Sequence, residues 1–218
     1  MRVYHFLNHQ YGLENISRRR LKIATINALN DPFEMIAAAS PNPQVRRALL
    51  QAKDQMDCRA GLLCFSRNWH NGVQWGHYAQ KHTGLCLGFD VPDHLLKPVH
   101  YQPRRMTIDP DLIARGGAAA EAFMLALVST KSSHWRYEDE VRCFVALETA
   151  DPESGYYFAD FSEALVLREV IVGHNSTISR ADLARALGDL APGVTTRKAR
   201  LAFRSFRVVT QRRKDMWR

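Results

Sequence analysis

No stretch of this sequence approaches the ~20 apolar residues that a membrane-spanning helix requires. The opening, MRVYHFLNHQYGLENI, lacks the hydrophobic centre of a secretory leader, so the chain is expected to stay in the cytoplasm. Cysteine is scarce. Cys58, Cys64, Cys86 and Cys143 form no Cys-x-x-Cys pair. Three of them lie in apolar runs (GLLCF, GLCLGF, VRCFVAL), which reads as small buried hydrophobes in a reducing compartment rather than a zinc site or a disulfide framework. G-x-G-x-x-G and P-loop strings are also missing, which removes the two commonest phosphate-cradling loops. Neither an internal repeat nor a low-complexity linker divides the chain.

What is present is ordinary in bulk and uneven in charge. With 218 residues, 46% hydrophobic and 24% charged, the composition predicts one globular domain over 1–218. The net charge of +8 clusters in SRRRLK and in the closing RKARLAFRSFRVVTQRRKDMWR. Basic residues interleaved with aromatics favour a polyanionic partner such as nucleic acid. The plainer alternative is a solubilising surface, because no recognised nucleic-acid motif orders these charges.

Periodicity and turn residues outline the elements. RVYHFL, KIATIN, AGLLCFS, TGLCLGFDV and ALVLREVIVG read as strands. LENISRRRL reads as a short helix, and NDPFE forces a turn. MIAAASPNPQVRRALLQAKDQM is helical in composition, broken at Pro41 and Pro43. HNGVQWGHYAQKH predicts a short helix with Trp75, Tyr78 and Ala79 on one face and Gly84 as its C-cap. A further helix is expected from about Gly117 to Ser129. YEDEVRCFVAL alternates as a strand with Glu138, Glu140 and Arg142 on one face. SRADLARALGDL is a helix capped by Ser179, and RLAFRSFRVV reads as an edge strand with a basic outward face. Grouped strands with inserted helices predict an α+β fold with a mixed, mostly antiparallel sheet and flanking helices, not a doubly wound parallel one.

Three polar clusters stand out: Asn30, Asp31 and Glu34 in NDPFE; Trp75, His77, Tyr78 and His82; and Lys131, Trp135, Tyr137, Glu138, Glu140 and Arg142 in KSSHWRYEDEVR. His77 and His82 are five apart, not the four of a helical zinc pair, so no metal is expected. The apolar neighbours of Cys64 raise its pKa and argue against a thiolate nucleophile. Two carboxylates and a guanidinium on one strand face are expensive to bury unless they are paired or functional. The alternative is an exposed Glu–Arg ladder. An aromatic wall beside a carboxylate suits a planar ring and a ribose.

NDPFE, CFS, WGHYAQKHTGLCLGFD, KSSHWRYEDEVR and EVIVG, in this order, resemble the bacterial family catalogued as domain of unknown function 2971. The resemblance runs from Tyr4 to about Gly173 and leaves a basic helix and strand over 174–218 outside it. More loosely, the layout resembles an ADP-ribosyltransferase core, which implies a split sheet with NAD in a cleft. On that resemblance the opening strand contributes Tyr4 and His5, and the strand ending in serine contributes Ser66. The helix contributes its aromatics Trp75 and Tyr78, with His77 beside them, and Glu138-Asp139-Glu140 takes the place of the glutamate strand. Glu140 then stabilises the oxocarbenium-like ribose, with Glu138 as the alternative. Tyr78 stacks on nicotinamide and His5 hydrogen-bonds a ribose or the carboxamide. Lys131 or Arg142 holds the diphosphate, and Trp135 walls the site. This sequence departs from the transferase pattern in lacking an opening-strand arginine other than Arg2, and NDPFE has no counterpart there. An Asx-turn whose Glu34 pairs with Arg142 or Lys131 would explain NDPFE structurally.

Three functions follow as expectations. The first is an NAD-using ADP-ribosyltransferase or NAD glycohydrolase, of toxin or anti-phage type, acting on a nucleic acid or protein. The second is a non-catalytic nucleic-acid-binding module. The third is a metal-dependent nuclease using Asp31, Glu34, Glu138, Glu140 and Lys131.

Overall fold

The apolar runs become the central strands of one large sheet in the computed structural model of the chain, which describes residues 1–108 and 117–217. In chain order the strands and α-helices are β1 (Arg2–Leu7), α1 (His9–Ser17), β2 (Arg20–Thr25), β3 (Ala38–Ala39), α2 (Pro43–Asp57), β4 (Ala60–Ser66), α3 (Gly72–Tyr78), β5 (Leu85–Asp90), β6 (Lys97–Pro98), β7 (His100–Gln102), β8 (Met106–Thr107), α4 (Gly117–Val128), β9 (Thr130–Ser132), β10 (Glu140–Ala146), β11 (Tyr157–Asp160), β12 (Val166–Val172), α5 (Arg180–Leu187), β13 (Thr195–Leu201) and β14 (Val208–Thr210).

The main path runs β11-β2-β4-β1-β5-β12-β13-β14, and β10 lies along the other edge of β4. Only β12·β13 and the two small pairs β3·β8 and β7·β9 are parallel; the other pairings among the described residues are antiparallel. The fold is thus α+β with a mostly antiparallel sheet and flanking helices. No helix among the described residues is long and apolar enough to cross a membrane.

The sheet opens at one place. β1 pairs with β5 over six residues, Arg2 to Leu7, but meets β4 only where Tyr4 faces Ser66. The far end of the same β4 edge pairs with β2, at Gly61 and Leu62. Between these two contacts β1 and β2 diverge, and a cleft forms.

Both faces of the central strands are covered, which is why they read as continuous apolar runs. On one face Val3, Leu63, Phe65, Leu87, Phe89 and Val170 pack with Ile16 of α1 and Leu183 and Leu187 of α5. On the other, Trp75 of α3 packs with Cys86, Ile171, Ala199 and Val208, and Phe6 meets its ring edge-on. The C-terminal segment is part of the same sheet through β13, so it is no appendage to a core ending near Gly173.

Several elements differ from the sequence expectations. The first helix starts earlier, at His9, where the Asn8 side chain accepts from Tyr11 N at 2.8 Å. Residues 35–42 are not helical. Met35 is left-handed (φ 64°), Ala38 and Ala39 form β3, and Pro43 begins α2 instead of breaking it. The glutamate strand begins only at Glu140, after a 3₁₀ helix over Ser133–Glu138 and a left-handed Asp139 (φ 46°). RLAFRSFRVV is not one strand but a hairpin, β13 and β14, whose tip carries the two phenylalanines. By contrast, α4 and the capping box of Ser179 with Asp182 on α5 match the expectation.

Gly84 is not a helix C-cap. α3 stops at Tyr78, and Gln80, Lys81 and His82 all take positive φ before the chain reaches β5. What Gly84 supplies is closeness: a Cβ there would lie 2.0 Å from the Leu7 carbonyl oxygen. Backbone cannot retreat as a side chain can, so Gly84→Ala is expected to destabilise by about 3 kcal/mol, the upper end of overpacking costs, read from the urea midpoint.

Candidate active site

The pairing register of β4 with β10 sets the chemistry. Glu140 faces Ser66 and Arg142 faces Cys64, so their side chains share one face of the sheet. Arg142 is fully buried there, with no exposure. Its Nε donates to Glu140 Oε1 at 2.9 Å and its Nη2 to Glu140 Oε2 at 3.2 Å. Its Nη1 donates to Glu34 Oε1 at 2.6 Å and to the Val128 carbonyl at 2.8 Å. Lys131 extends the network, reaching Glu138 Oε2 at 2.6 Å and Glu140 Oε2 at 3.3 Å. Three carboxylates thus surround two cations.

The NDPFE turn exists to deliver Glu34. Asp31 Oδ1 accepts from Phe33 N at 2.9 Å, an Asx-turn, and Glu34 N donates to Asp31 O at 3.0 Å. Asp31 Oδ2 and Glu34 Oε2 are buried without a partner among the described residues, which is costly.

These contacts move the titrations. Burial pulls the Arg142 guanidinium down, but Glu140 and Glu34 more than reverse it and the net shift is upward. The Lys131 ammonium behaves alike: burial opposes its charge, and Glu140 and Glu138 hold it. Burial pushes the Glu140 carboxyl up, yet Arg142 and Lys131 bring it below its ordinary value. For Glu34 burial dominates and its carboxyl is raised despite Arg142.

Helix α3 brings Tyr78 to this cluster. The Asn71 side chain caps the helix by accepting from Val73 N at 2.9 Å and donates to Tyr137 O at 3.1 Å. Gln74 Nε2 donates to the Glu138 carbonyl at 2.6 Å. With the helix so fixed, the Tyr78 hydroxyl donates to Glu138 Oε1 and accepts from Asn30 Nδ2. Burial and Glu138 push the Tyr78 pKa up, so the hydroxyl stays protonated. Across the opening, His5 Nδ1 lies 2.9 Å from the Cys64 carbonyl. A carbonyl only accepts, so Nδ1 carries the proton and Nε2 keeps its lone pair. Burial lowers the His5 pKa and holds the ring neutral.

Tyr4, His5, Asn30, Ser66, Gln74 and Tyr78 line the cleft with Lys22, and Lys131, Glu138 and Glu140 form its ionic end; its volume is about 230 Å³. A second hollow of about 260 Å³ shares Lys131 and is lined by Phe33, Gln102, Arg104, Arg105, Ser132 and His134.

The structure therefore brings the three sequence clusters together, but not every residue in the role expected. Trp75 is fully buried and its Nε1 donates to Trp69 O at 2.7 Å, so it packs the core and touches no ligand in the cleft. Arg142 is sealed between glutamates with no exposure, so it cannot reach a diphosphate. Lys131 lines the cleft with its charge already met by Glu138 and Glu140. His77 is exposed and bonds Tyr137 Oη at 2.9 Å, outside the cleft. Trp135 is set back from the cleft, its ring 4.9 Å from Lys131 Nζ. Ser66 organises the loop after β4: its Oγ accepts from Asn68 N at 3.0 Å. Glu140, expected beside the reacting sugar, has both oxygens engaged by Arg142 and Lys131. Glu138 is not on the glutamate strand at all, but the 3₁₀ helix returns it to Lys131, which it shares with Glu140.

Sequence reading missed Gln74, Tyr101, Lys22, Arg104 and Arg105. Gln74 is four residues before Tyr78, on the same helical face, and that spacing was a usable signal. Tyr101, whose Oη accepts from Glu140 N at 2.8 Å, leaves no local signal.

Removing Arg142 leaves the buried Glu34 without its cation and Glu140 with Lys131 alone, so Arg142→Met is expected to cost about 3–5 kcal/mol in urea unfolding. The pH dependence has two arms. The lowered Glu140 contributes stability above its ordinary 4.5 that is lost as pH falls through its folded value. The raised Glu34 works oppositely, removing stability as pH rises from 4.5 through its folded value. Glu34→Gln is expected to abolish that second loss and leave the acid arm, read as melting temperature against pH.

No protein-family model matches the chain, no curated protein matches it, and no solved structure matches it.

Proposed function

We propose that this chain is an NAD-using ADP-ribosyltransferase-like enzyme, a transferase or an NAD glycohydrolase, related to the bacterial family of domain of unknown function 2971. One observation carries the reading. At the opening between β1 and β4, a protonated tyrosine and a carboxylate meet, Tyr78 Oη on Glu138 Oε1, opposite the neutral His5.

Each group has work that suits NAD. The cleft, at about 230 Å³, is below the usual volume of a whole-ligand pocket, about 300–1,000 Å³, so it takes the nicotinamide and its ribose. The Tyr78 ring lies against nicotinamide, and His5 Nε2 accepts from the carboxamide N–H. Glu138 accepts the ribose hydroxyl and faces C1′, where positive charge develops as the C1′–N bond breaks and its electron pair leaves with neutral nicotinamide. Water or an acceptor then forms the new bond to C1′ and gives its proton to Glu138 or solvent. We place Glu138 ahead of Glu140 in this role, because one Glu138 oxygen meets only the neutral Tyr78 hydroxyl, which a ribose hydroxyl can replace, whereas both Glu140 oxygens are held by the buried Arg142 guanidinium and Glu140 acts as the positioning residue. The diphosphate falls to the exposed Arg104 and Arg105, across Lys131 from the sugar. A nuclease reading fits less well, since a metal would have to displace Arg142 or Lys131 from carboxylates they already hold. A toxin or anti-phage role on a polyanionic acceptor accords with the net charge of +8.

Incubation with NAD, reading free nicotinamide by mass, tests the reading. Release is expected, and Glu138→Gln should lower kcat about 100-fold or more when compared below the variant's own melting temperature, which falls because the buried Lys131 pair is lost. Arg104→Ala with Arg105→Ala should raise KM for NAD and leave kcat near its original value. No nicotinamide from the intact protein, with nucleic acid or protein acceptors supplied, would sink the proposal.

A further inference from the structure

The positive charge of this chain is not spread over its surface. Residues 195–218 hold nine of the 30 Lys and Arg but only one of the 22 Asp and Glu, so the first 194 residues contribute nothing to the net +8. That segment is the β13–β14 hairpin and its tail. At the hairpin tip, Phe203 is 92% exposed and Phe206 106% exposed, the two most exposed large hydrophobics among the described residues. Arg200 lies over the Phe203 ring, its Cζ 4.7 Å from the centroid. Arg204 and Arg207 flank the second ring, and among the described residues neither has a carboxylate within ion-pair distance.

The tip is held in place and does not dangle. Val208 N donates to the His70 carbonyl at 2.9 Å, His70 Nδ1 donates back to Val208 O at 2.7 Å, and Asn71 bridges Arg207. Between the tip and this loop lies a hollow of about 990 Å³, edged by Asn68, His70 and Asn71. The same loop begins at Ser66 in the cleft and ends at Asn71, the cap of α3. The hairpin therefore borders the candidate active site through six residues of chain.

We propose that this hairpin is a binding surface for single-stranded nucleic acid. Nucleobases stack on Phe203 and Phe206, and Arg200, Arg204 and Arg207 take the phosphates. Solvated aromatic rings interleaved with unpaired guanidiniums match unstacked bases on a charged backbone. A duplex hides the base faces that the rings need. An anionic bilayer fits less well, because Arg204 and Ser205 separate the rings and prevent the tip from entering as one apolar wedge. The surface does not depend on NAD chemistry. If that chemistry holds as proposed above, a bound strand is the acceptor nearest to the cleft.

Fluorescence anisotropy with labelled oligodeoxythymidine and oligouridine of about 16 nucleotides tests this. Binding is expected, with log affinity falling against log salt at a slope near −2 for three phosphates. Phe203→Ala and Phe206→Ala should each weaken binding about tenfold at unchanged melting temperature, since both rings are in solvent. Arg204→Ala with Arg207→Ala should flatten the slope by about 1.4. Three results would overturn the proposal: no binding of either oligonucleotide, binding unaltered in the double Phe variant, or tighter retention on phosphatidylglycerol vesicles than on oligonucleotide. Nicotinamide release is measured without oligonucleotide, so the enzyme reading and the hairpin reading fail or stand separately.

Discussion

A guanidinium with no exposure to water can exist in this protein only because two carboxylates and a carbonyl surround it. Arg142 is thus the point where four parts of the chain are forced to meet: the NDPFE turn through Glu34, the end of α4 through Val128, the strand β10 itself, and Lys131 through their shared Glu140. Each partner alone would be a buried charge or an unmet acceptor, costly in a low dielectric. Together they fix the geometry of one end of the cleft. A hydrophobic cluster would tolerate small shifts among its members, whereas a bidentate ion pair prescribes direction as well as distance.

That rigidity matters because the cleft lies where the sheet gives up its own hydrogen bonds. β1 and β4 part after a single residue pair, so backbone ladders cannot define the walls. Side chains do so instead. His5 reaches the Cys64 carbonyl, Ser66 ties the loop to Asn68, Gln74 holds the Glu138 carbonyl, and Tyr78 closes on the Glu138 carboxylate. The fold supplies the opening and the polar network decides its shape. A charged hairpin abuts the same loop from the other side, so two chemically distinct surfaces share one short segment, Ser66 to Asn71.

Much of this was legible in order but not in arrangement. The strands of β1, β4, β5 and β12 are plain from continuous apolar runs, and α5 from its capping box. NDPFE is readable as a turn because Asp31 and Pro32 act locally. The failures have a common cause. Met35, Asp139 and the Gln80–His82 run adopt the left-handed backbone that residues other than glycine seldom take, so composition pointed to helix or strand where packing required a bend. Trp75 carried an aromatic at a position the resemblance assigned to a ligand, yet its indole N–H found the Trp69 carbonyl inside the core.

By itself, the sequence determined an α+β chain with a mostly antiparallel sheet and flanking helices, and it singled out three polar clusters, one of them expensive to bury unless paired. It also located the positive charge at the end of the chain. Which carboxylate faces the opening, which cation is spent on structure, and which aromatics meet solvent were decided by tertiary structure alone. The reason is physical. Periodicity reports the face on which a side chain lies, but ion pairing and exposure depend on what another segment, about a hundred residues away, brings opposite it: Glu34 and Arg142 are 108 residues apart and 2.6 Å from each other.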